Sequence, residues 1–295
     1  MAIGSGKFRD AGSISLDPQR RCENASASPS GSATGMTGVP RLNEIFQSAT
    51  GVAPLTALTI SLMVFCSSFM RGLTGFGMAI MLVPMLALVI VPERAVLLAI
   101  LMGALIGPLS YRGSWQLTDK RVFWLLTGTA VTTTPVGLFL LARTAPDISR
   151  SVIAAIAIVA FFVLARRRAA VPPRGAPAIM LTGAVAGFLG SFAAMPGPPV
   201  VFYFVRDSVA PSVARASMNV IFCWGALATA LVAFVGGRLD FSLVGLALFS
   251  VPALVAGNRV GEHFFGVIEE ATWRMTIMAL IGVSALGALL RLFGV

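Results

Sequence analysis

From Pro54 onward the chain is a succession of apolar runs separated by gaps of only a few polar residues. A membrane-spanning helix needs roughly 17–25 apolar residues. Runs of that kind extend from Ala53 to Met70, Gly77 to Val91, Arg94 to Tyr111, Val122 to Ala142 and Ser149 to Ala165. After Arg166-Arg167-Arg168 and Pro172-Pro173 the pattern resumes. Pro177 to Ser191 is short and Pro199 to Val205 very short, whereas Val213 to Val235, Phe241 to Val260 and Thr272 to Leu290 are full length. The pattern predicts an all-α polytopic membrane protein. Residues 1–50 differ: they are rich in Ser, Gly and Ala, hold five basic and four acidic side chains, and lack an apolar run. They read as a disordered polar tail without the apolar core of a signal peptide.

Composition agrees with the pattern. Apolar residues make up 57% of the 295 and charged residues 12%, with a mean hydropathy of +0.88. Soluble domains carry about 25% charged residues, so this chain cannot cover a soluble surface. The net charge of +10 would suggest nucleic acid in a soluble protein. Here the cations fall mostly in short gaps between apolar runs, which is how membrane proteins set their orientation. Nucleic acid is therefore excluded as a partner. The three cysteines, Cys22, Cys66 and Cys223, are far apart and His263 is the sole histidine. No metal or cofactor is expected.

The short or broken runs recur at corresponding places, which suggests a duplication. At an offset of 115, residues 72–84 and 187–199 share Gly72/Gly187, Gly75/Gly190, Ala79/Ala194 and Pro84/Pro199. At an offset of 124, Gly113 meets Gly237, Gly137 meets Gly261 and Arg150 meets Arg274, with Ile153/Ile277, Ala155/Ala279 and Val159/Val283 behind. The chain thus divides into the tail (1–50), a first transmembrane repeat (51–165), a basic loop (166–176) and a second repeat (177–295). Each half has about four spans and opens with a broken Gly/Pro-rich helix. The Arg166–Arg168 cluster with Arg174 places its loop in the cytoplasm. Counting backwards, 112–121 is also cytoplasmic and 143–150 external. One net crossing over residues 53–91 would put the tail in the cytoplasm. Two would put it outside, with five spans per half and the halves inverted. The first is preferred.

Two breaks carry the candidate chemistry. The first reads Arg71-Gly72-Leu73-Thr74-Gly75-Phe76-Gly77. Glycine weakens a helix by roughly 1 kcal/mol relative to Ala. Its glycines fit either a tight helix crossing or a discontinuous helix with freed N–H groups around a cavity. Arg71 either snorkels at the surface or lies deep, where it suits an oxyanion. The second break runs from Gly190 through Ser191, Met195, Pro196, Gly197 and Pro198 to Pro199. Prolines cannot continue a helix but suit its first turn. A half-helix is expected from near Pro198 to Val205, with its N-terminus buried; a plain turn is the alternative. Arg215 and Asn219 follow at i and i+4, one face of the next span. The candidate substrate-binding residues are Arg71, Thr74, Gly75, Gly77, Ser191, Met195, Gly197, Pro198, Arg215 and Asn219.

These motifs resemble the TauE/SafE family of sulfite exporters. The resemblance rests on Gly72-Leu73-Thr74-Gly75-Phe76-Gly77 with Pro84 and Leu86, and on Gly187 to Gly190 followed by Gly197-Pro198-Pro199. It covers about residues 53–293. It implies seven or eight spans in two related halves, in a bacterial inner membrane. It also implies movement of sulfite, sulfonates or related sulfur oxyanions and organic acids. Arg71 stands where the family pattern would have a neutral polar residue such as Gln. Met195 and Pro196 stand where it would have more glycine. The function expected is secondary transport of a small anion, and the chain is not expected to be an enzyme. The alternative is a membrane-embedded enzyme or a non-transporting assembly subunit. A catalyst would need paired carboxylates, a Ser/His pair or a metal set, for which the spans offer little material.

Overall fold

The structure is a computed structural model that describes residues 38–75, 77–165, 175–206 and 211–264. The tail up to residue 37, Phe76, the basic loop at 166–174 and the expected last span at 272–290 lie outside the described residues. Among the described residues all regular structure is helical. The helices are α1 (Gly38–Thr50), α2 (Pro54–Thr74), α3 (Met78–Val89), α4 (Pro92–Leu117), α5 (Lys120–Arg143), α6 (Pro146–Ala165), α7 (Ala176–Ala193), α8 (Gly197–Arg206), α9 (Pro211–Val235) and α10 (Phe241–His263). Six of them, α2, α4, α5, α7, α9 and α10, are long and apolar enough to cross a membrane, and α3 is a shorter apolar helix. Leu62, Trp124, Phe139, Leu231 and Phe234 point outward, as lipid-facing side chains do. The core beneath them includes Ile60, Leu82, Leu98, Met102, Met195 and Leu254.

Local chemistry sets the helix ends. Pro54, Pro92, Pro146 and Pro211 each open a helix, where a missing N–H costs nothing and the fixed φ is already helical. Asp119 caps α5, accepting from the N–H of Arg121 at 3.0 Å and of Val122 at 3.1 Å. α1 corrects the expected extent of the polar tail. Residues 38–50 are helical, and the Phe46 ring meets Phe249 edge-on at 5.2 Å. A few apolar residues at helical spacing suffice when a neighbouring helix offers a partner.

Three helix pairs dominate. α2 runs parallel to α10: Ser61 faces Ser250, Ser68 lies beside Gly257, and Gly72 lies beside Gly261. α5 runs parallel to α7, with Thr129 beside Gly183, Ala130 and Thr133 beside Gly187, and Gly137 beside Ser191. Both pairs pack backbone to backbone through glycine. α4 and α9 cross antiparallel, Gly103 against Ala226 and Gly107 against Cys223.

These contacts fix where the chain turns. Arg94, at the start of α4, donates to Asp240 at 3.2 Å and to Ser242 at 2.6 Å at the start of α10, and Gly51 before α2 packs on the same two side chains, Arg94 and Ser242. Glu93 pairs with Arg238 at 3.4 Å. α2, α4 and α10 therefore start at one end of the bundle. Arg150 near the start of α6 donates to the Ala87 carbonyl of α3 at 3.1 Å, so α3 also ends there. Residues 54–91 leave one face and return to it. The preferred single net crossing is thereby overturned, because the 12-residue α3 runs back beside α2. α7 and α8 do the same from the other end, where Tyr203 and Phe204 pack with Phe123 and Met218.

Candidate functional site

The two short helices start side by side. α2 ends at Gly75, whose φ of 81° and N–H bond to the Arg71 carbonyl close the helix, and Gly77 at φ 91° opens α3. Both conformations belong to the left-handed region that glycine enters without strain. α7 ends at Ala194, the one described non-glycine residue with positive φ, at 56°. Met195 then donates to the Leu189 carbonyl at 3.1 Å, and α8 begins at Gly197. A Cβ added at Gly197 would lie 3.8 Å from Ile80 Cδ1 in the first turn of α3.

Between these starts lies a cavity of about 110 Å³, well above the 10–15 Å³ that one water needs. Its walls come from the two breaks and from near the middle of α4, α5 and α9, including Gly103, Thr134 and Gly225. Arg71 is the one charged side chain among the described residues of that lining. It is 7% exposed, and its Nη1 has no hydrogen-bond partner among the described residues. An ionised group costs roughly 2.5–3.5 kcal/mol at the centre of a membrane helix, and an unmet donor adds to that. The α3 N-terminus, worth about half a positive charge, faces the same space, whereas Pro198 and Pro199 in the first turn of α8 carry no N–H.

The candidate residues divide by place. Arg71, Gly77, Met195 and Gly197 line the cavity. Pro198 is buried behind Gly197 in the first turn of α8. Ser191 is fully buried behind the wall, bonding its own helix at the Gly187 carbonyl at 2.8 Å, under Gly137. Gly75 lies against the Arg215 side chain, and Arg215 Nη2 donates to the Gly72 carbonyl at 3.2 Å. Arg215 thus meets the C-terminal end of α2, where cations are favoured, and does not line the cavity. Asn219 is half-buried on α9, also outside the lining. The side chain of Thr74 lies outside what the structure describes. Gly72 and Gly187 serve the tight crossings of α2 on α10 and α7 on α5, and Gly187 also reaches the cavity wall. Gly72 thus fits the tight crossing, and Gly77 lies at the interruption beside the cavity.

Sequence reasoning passed over Thr127, Thr134 and Thr229, the hydroxyls in the lining. Threonines at i and i+7 on one helix face were the available signal. Thr134 and Thr229 satisfy themselves on Ala130 and Gly225 carbonyls at 3.0 and 2.7 Å.

The sequence profile of the sulfite exporter TauE/SafE family matches residues 60–288. The chain belongs to that family. Its members are membrane transporters, not enzymes. A Cupriavidus necator protein named "probable sulfite/organosulfonate exporter TauE" is 27% identical over 106 residues, 36% of this chain and 41% of that protein. The match thus spans less than half of the relative. No solved structure matches the TauE/SafE chain.

Proposed function

We propose that the chain is a secondary transporter of small anions in a bacterial inner membrane, with sulfite, sulfonates and related sulfur oxyanions or organic acids as substrates. Arg71 carries this reading: a buried guanidinium with a free Nη1, in a mid-bundle cavity where two half-helices begin. The α3 first turn adds the backbone N–H groups of Met78 to Ile80. Broken helices whose N-termini meet an anion between related halves are a transporter arrangement. A monovalent anion leaving the cell gains about 2.3 kcal/mol per 100 mV, which can drive export.

The same reading makes the halves inverted repeats. Exchange of halves sends the α2/α10 pair onto α7/α5 and α4/α9 onto itself, which supports it. With the Arg166–Arg168 loop in the cytoplasm, the start of α2 is external. A reporter fused at Gly51 reads external and one after Arg168 cytoplasmic; a cytoplasmic reading at Gly51 overturns the inversion.

Transport is tested with purified protein in liposomes, following sulfite and methanesulfonate flux. Wild type carries at least one of them. Arg71→Gln lowers its affinity by roughly 1.5–3 kcal/mol, the value of a charge-assisted hydrogen bond, while the protein still folds. Unchanged flux in Arg71→Gln sinks the site.

A further inference from the structure

Hydroxyls inside membrane helices bond the carbonyl three or four residues back. Thr129, Thr132, Thr133, Thr134, Thr182 and Thr229 all do so here. Thr127 does not. Its side chain is 8% exposed, and Oγ1 is buried without a hydrogen-bond partner among the described residues. It lines the same cavity as Arg71. An unmet buried hydroxyl is costly, and the usual partner lies within the reach of one rotamer on the same helix. Thr127 and Arg71, each with a buried polar atom that lacks a partner among the described residues, therefore line one small space. Among the described residues, no other member of the lining has a fully buried side-chain polar atom without a partner.

We propose that Thr127 is a second side-chain ligand of the transported anion, shared with Arg71, and that the pair selects singly charged oxyanions. The proposal rests on the transport reading above. Arg71 supplies one positive charge and Thr127 one neutral donor. Apart from Thr134 and Thr229, whose hydroxyls are bonded to their own helices, the rest of the described lining, such as Ile80, Ile100, Val131 and Phe222, is largely apolar. Arg71 is the one full charge among the described lining residues and the α3 N-terminus adds about half of another, so a dianion would leave negative charge uncompensated in a medium where that is expensive. A monoanion with a short apolar group matches both the charge and the walls.

The test is binding of methanesulfonate and sulfate to purified protein by calorimetry, with unfolding temperatures of the anion-free variants as the folding control. Thr127→Val keeps the shape and removes the hydroxyl. It is expected to weaken methanesulfonate binding about tenfold or more. Thr127→Ser retains a donor and stays within about threefold of wild type. Thr182→Val, whose hydroxyl is already bonded to the Ala178 carbonyl and lies outside the lining, shifts affinity by less than about threefold. Wild type binds methanesulfonate at least about tenfold more tightly than sulfate. Wild-type affinity in Thr127→Val, equal losses in Thr127→Val and Thr182→Val, or sulfate bound as tightly as methanesulfonate would overturn the proposal. Arg71→Gln separates the two levels. If it loses binding while Thr127→Val does not, the second ligand is wrong and the transport site stands. If Arg71→Gln binds like wild type, the site itself falls.

Discussion

The two breaks do one topological job with different chemistry. In the first, Gly75 and Gly77 sit at φ 81° and 91°, and Arg71 precedes them by one helical turn. In the second, the left-handed position is Ala194, and Pro196, Pro198 and Pro199 force the new helix to start. The difference reaches the cavity. α3 opens with N–H groups at Met78, Ala79 and Ile80. α8 opens with Pro198 and Pro199, which have none. At the 115-residue offset Arg71 pairs with Ala186, and both line the cavity. The two breaks thus differ in kind: one holds charge and donors, the other a rigid apolar wall of Met195 and Pro196.

The largest expected effect separates Gly75 from Gly197. A Cβ at Gly75 would sit 2.8 Å from Arg215 Cγ, on a backbone that L-residues avoid. Gly75→Val adds left-handed strain of about 1–2 kcal/mol and overpacking of about 1–3 kcal/mol. Membrane accumulation should fall with flux. At Gly197 the nearest atom is 3.8 Å away and φ is ordinary. Gly197→Val should accumulate normally yet lose flux, because its methyl groups enter the cavity. Gly128, with nothing near its Cβ position, is the neutral control. Equal accumulation of both variants would erase the asymmetry; normal flux in Gly197→Val would remove the second break from the site.

Next comes what the breaks share, the glycine before each one. A Cβ at Gly72 would lie 2.8 Å from the Glu262 nitrogen and 2.9 Å from Gly261 Cα, and one at Gly187 would strike the Ala130 carbonyl. Backbone cannot step aside as a side-chain tip can. Gly72→Ala and Gly187→Ala should each cost about 1–3 kcal/mol, read as a lower unfolding temperature in detergent. Similar losses fit matched crossings. A loss in only one would show that the parallel pairs α2/α10 and α5/α7 differ in tightness.

Much of this was legible in the chain. Span positions follow from apolar length, and the start of α8 follows from prolines that fit only a first turn. Arg71 was visible as a lone cation at the head of a Gly-rich break. Other features needed three dimensions. Whether residues 77–91 continue or reverse α2 depends on Arg94, Asp240 and Arg150, which pair across 146 and 63 positions of sequence. Arg215 looked like a cavity residue because it is a cation near a break, but its guanidinium meets the α2 carbonyl end. Thr127 looked like its neighbours in a threonine-rich helix. Only the absence of its back-bond sets it apart, and no letter encodes that.

The smallest effect concerns Ala194. Its left-handed φ of 56° costs an L-residue about 1–2 kcal/mol that glycine would not incur. Ala194→Gly relieves that strain. It also removes a buried methyl worth about 0.8 kcal/mol and loosens the unfolded chain by about 0.4–1 kcal/mol. The terms nearly cancel, so its unfolding temperature should stay close to wild type. Ala157→Gly provides the contrast, since Ala157 is equally buried but lies inside α6. There the methyl and the helix propensity are both lost, about 1.5–2 kcal/mol together. A clear drop for Ala157→Gly with none for Ala194→Gly would show that the second break holds an alanine where the first holds a glycine. Equal drops would mean that the Ala194 backbone is not left-handed in the membrane, and that the two breaks differ more than their shared topology implies.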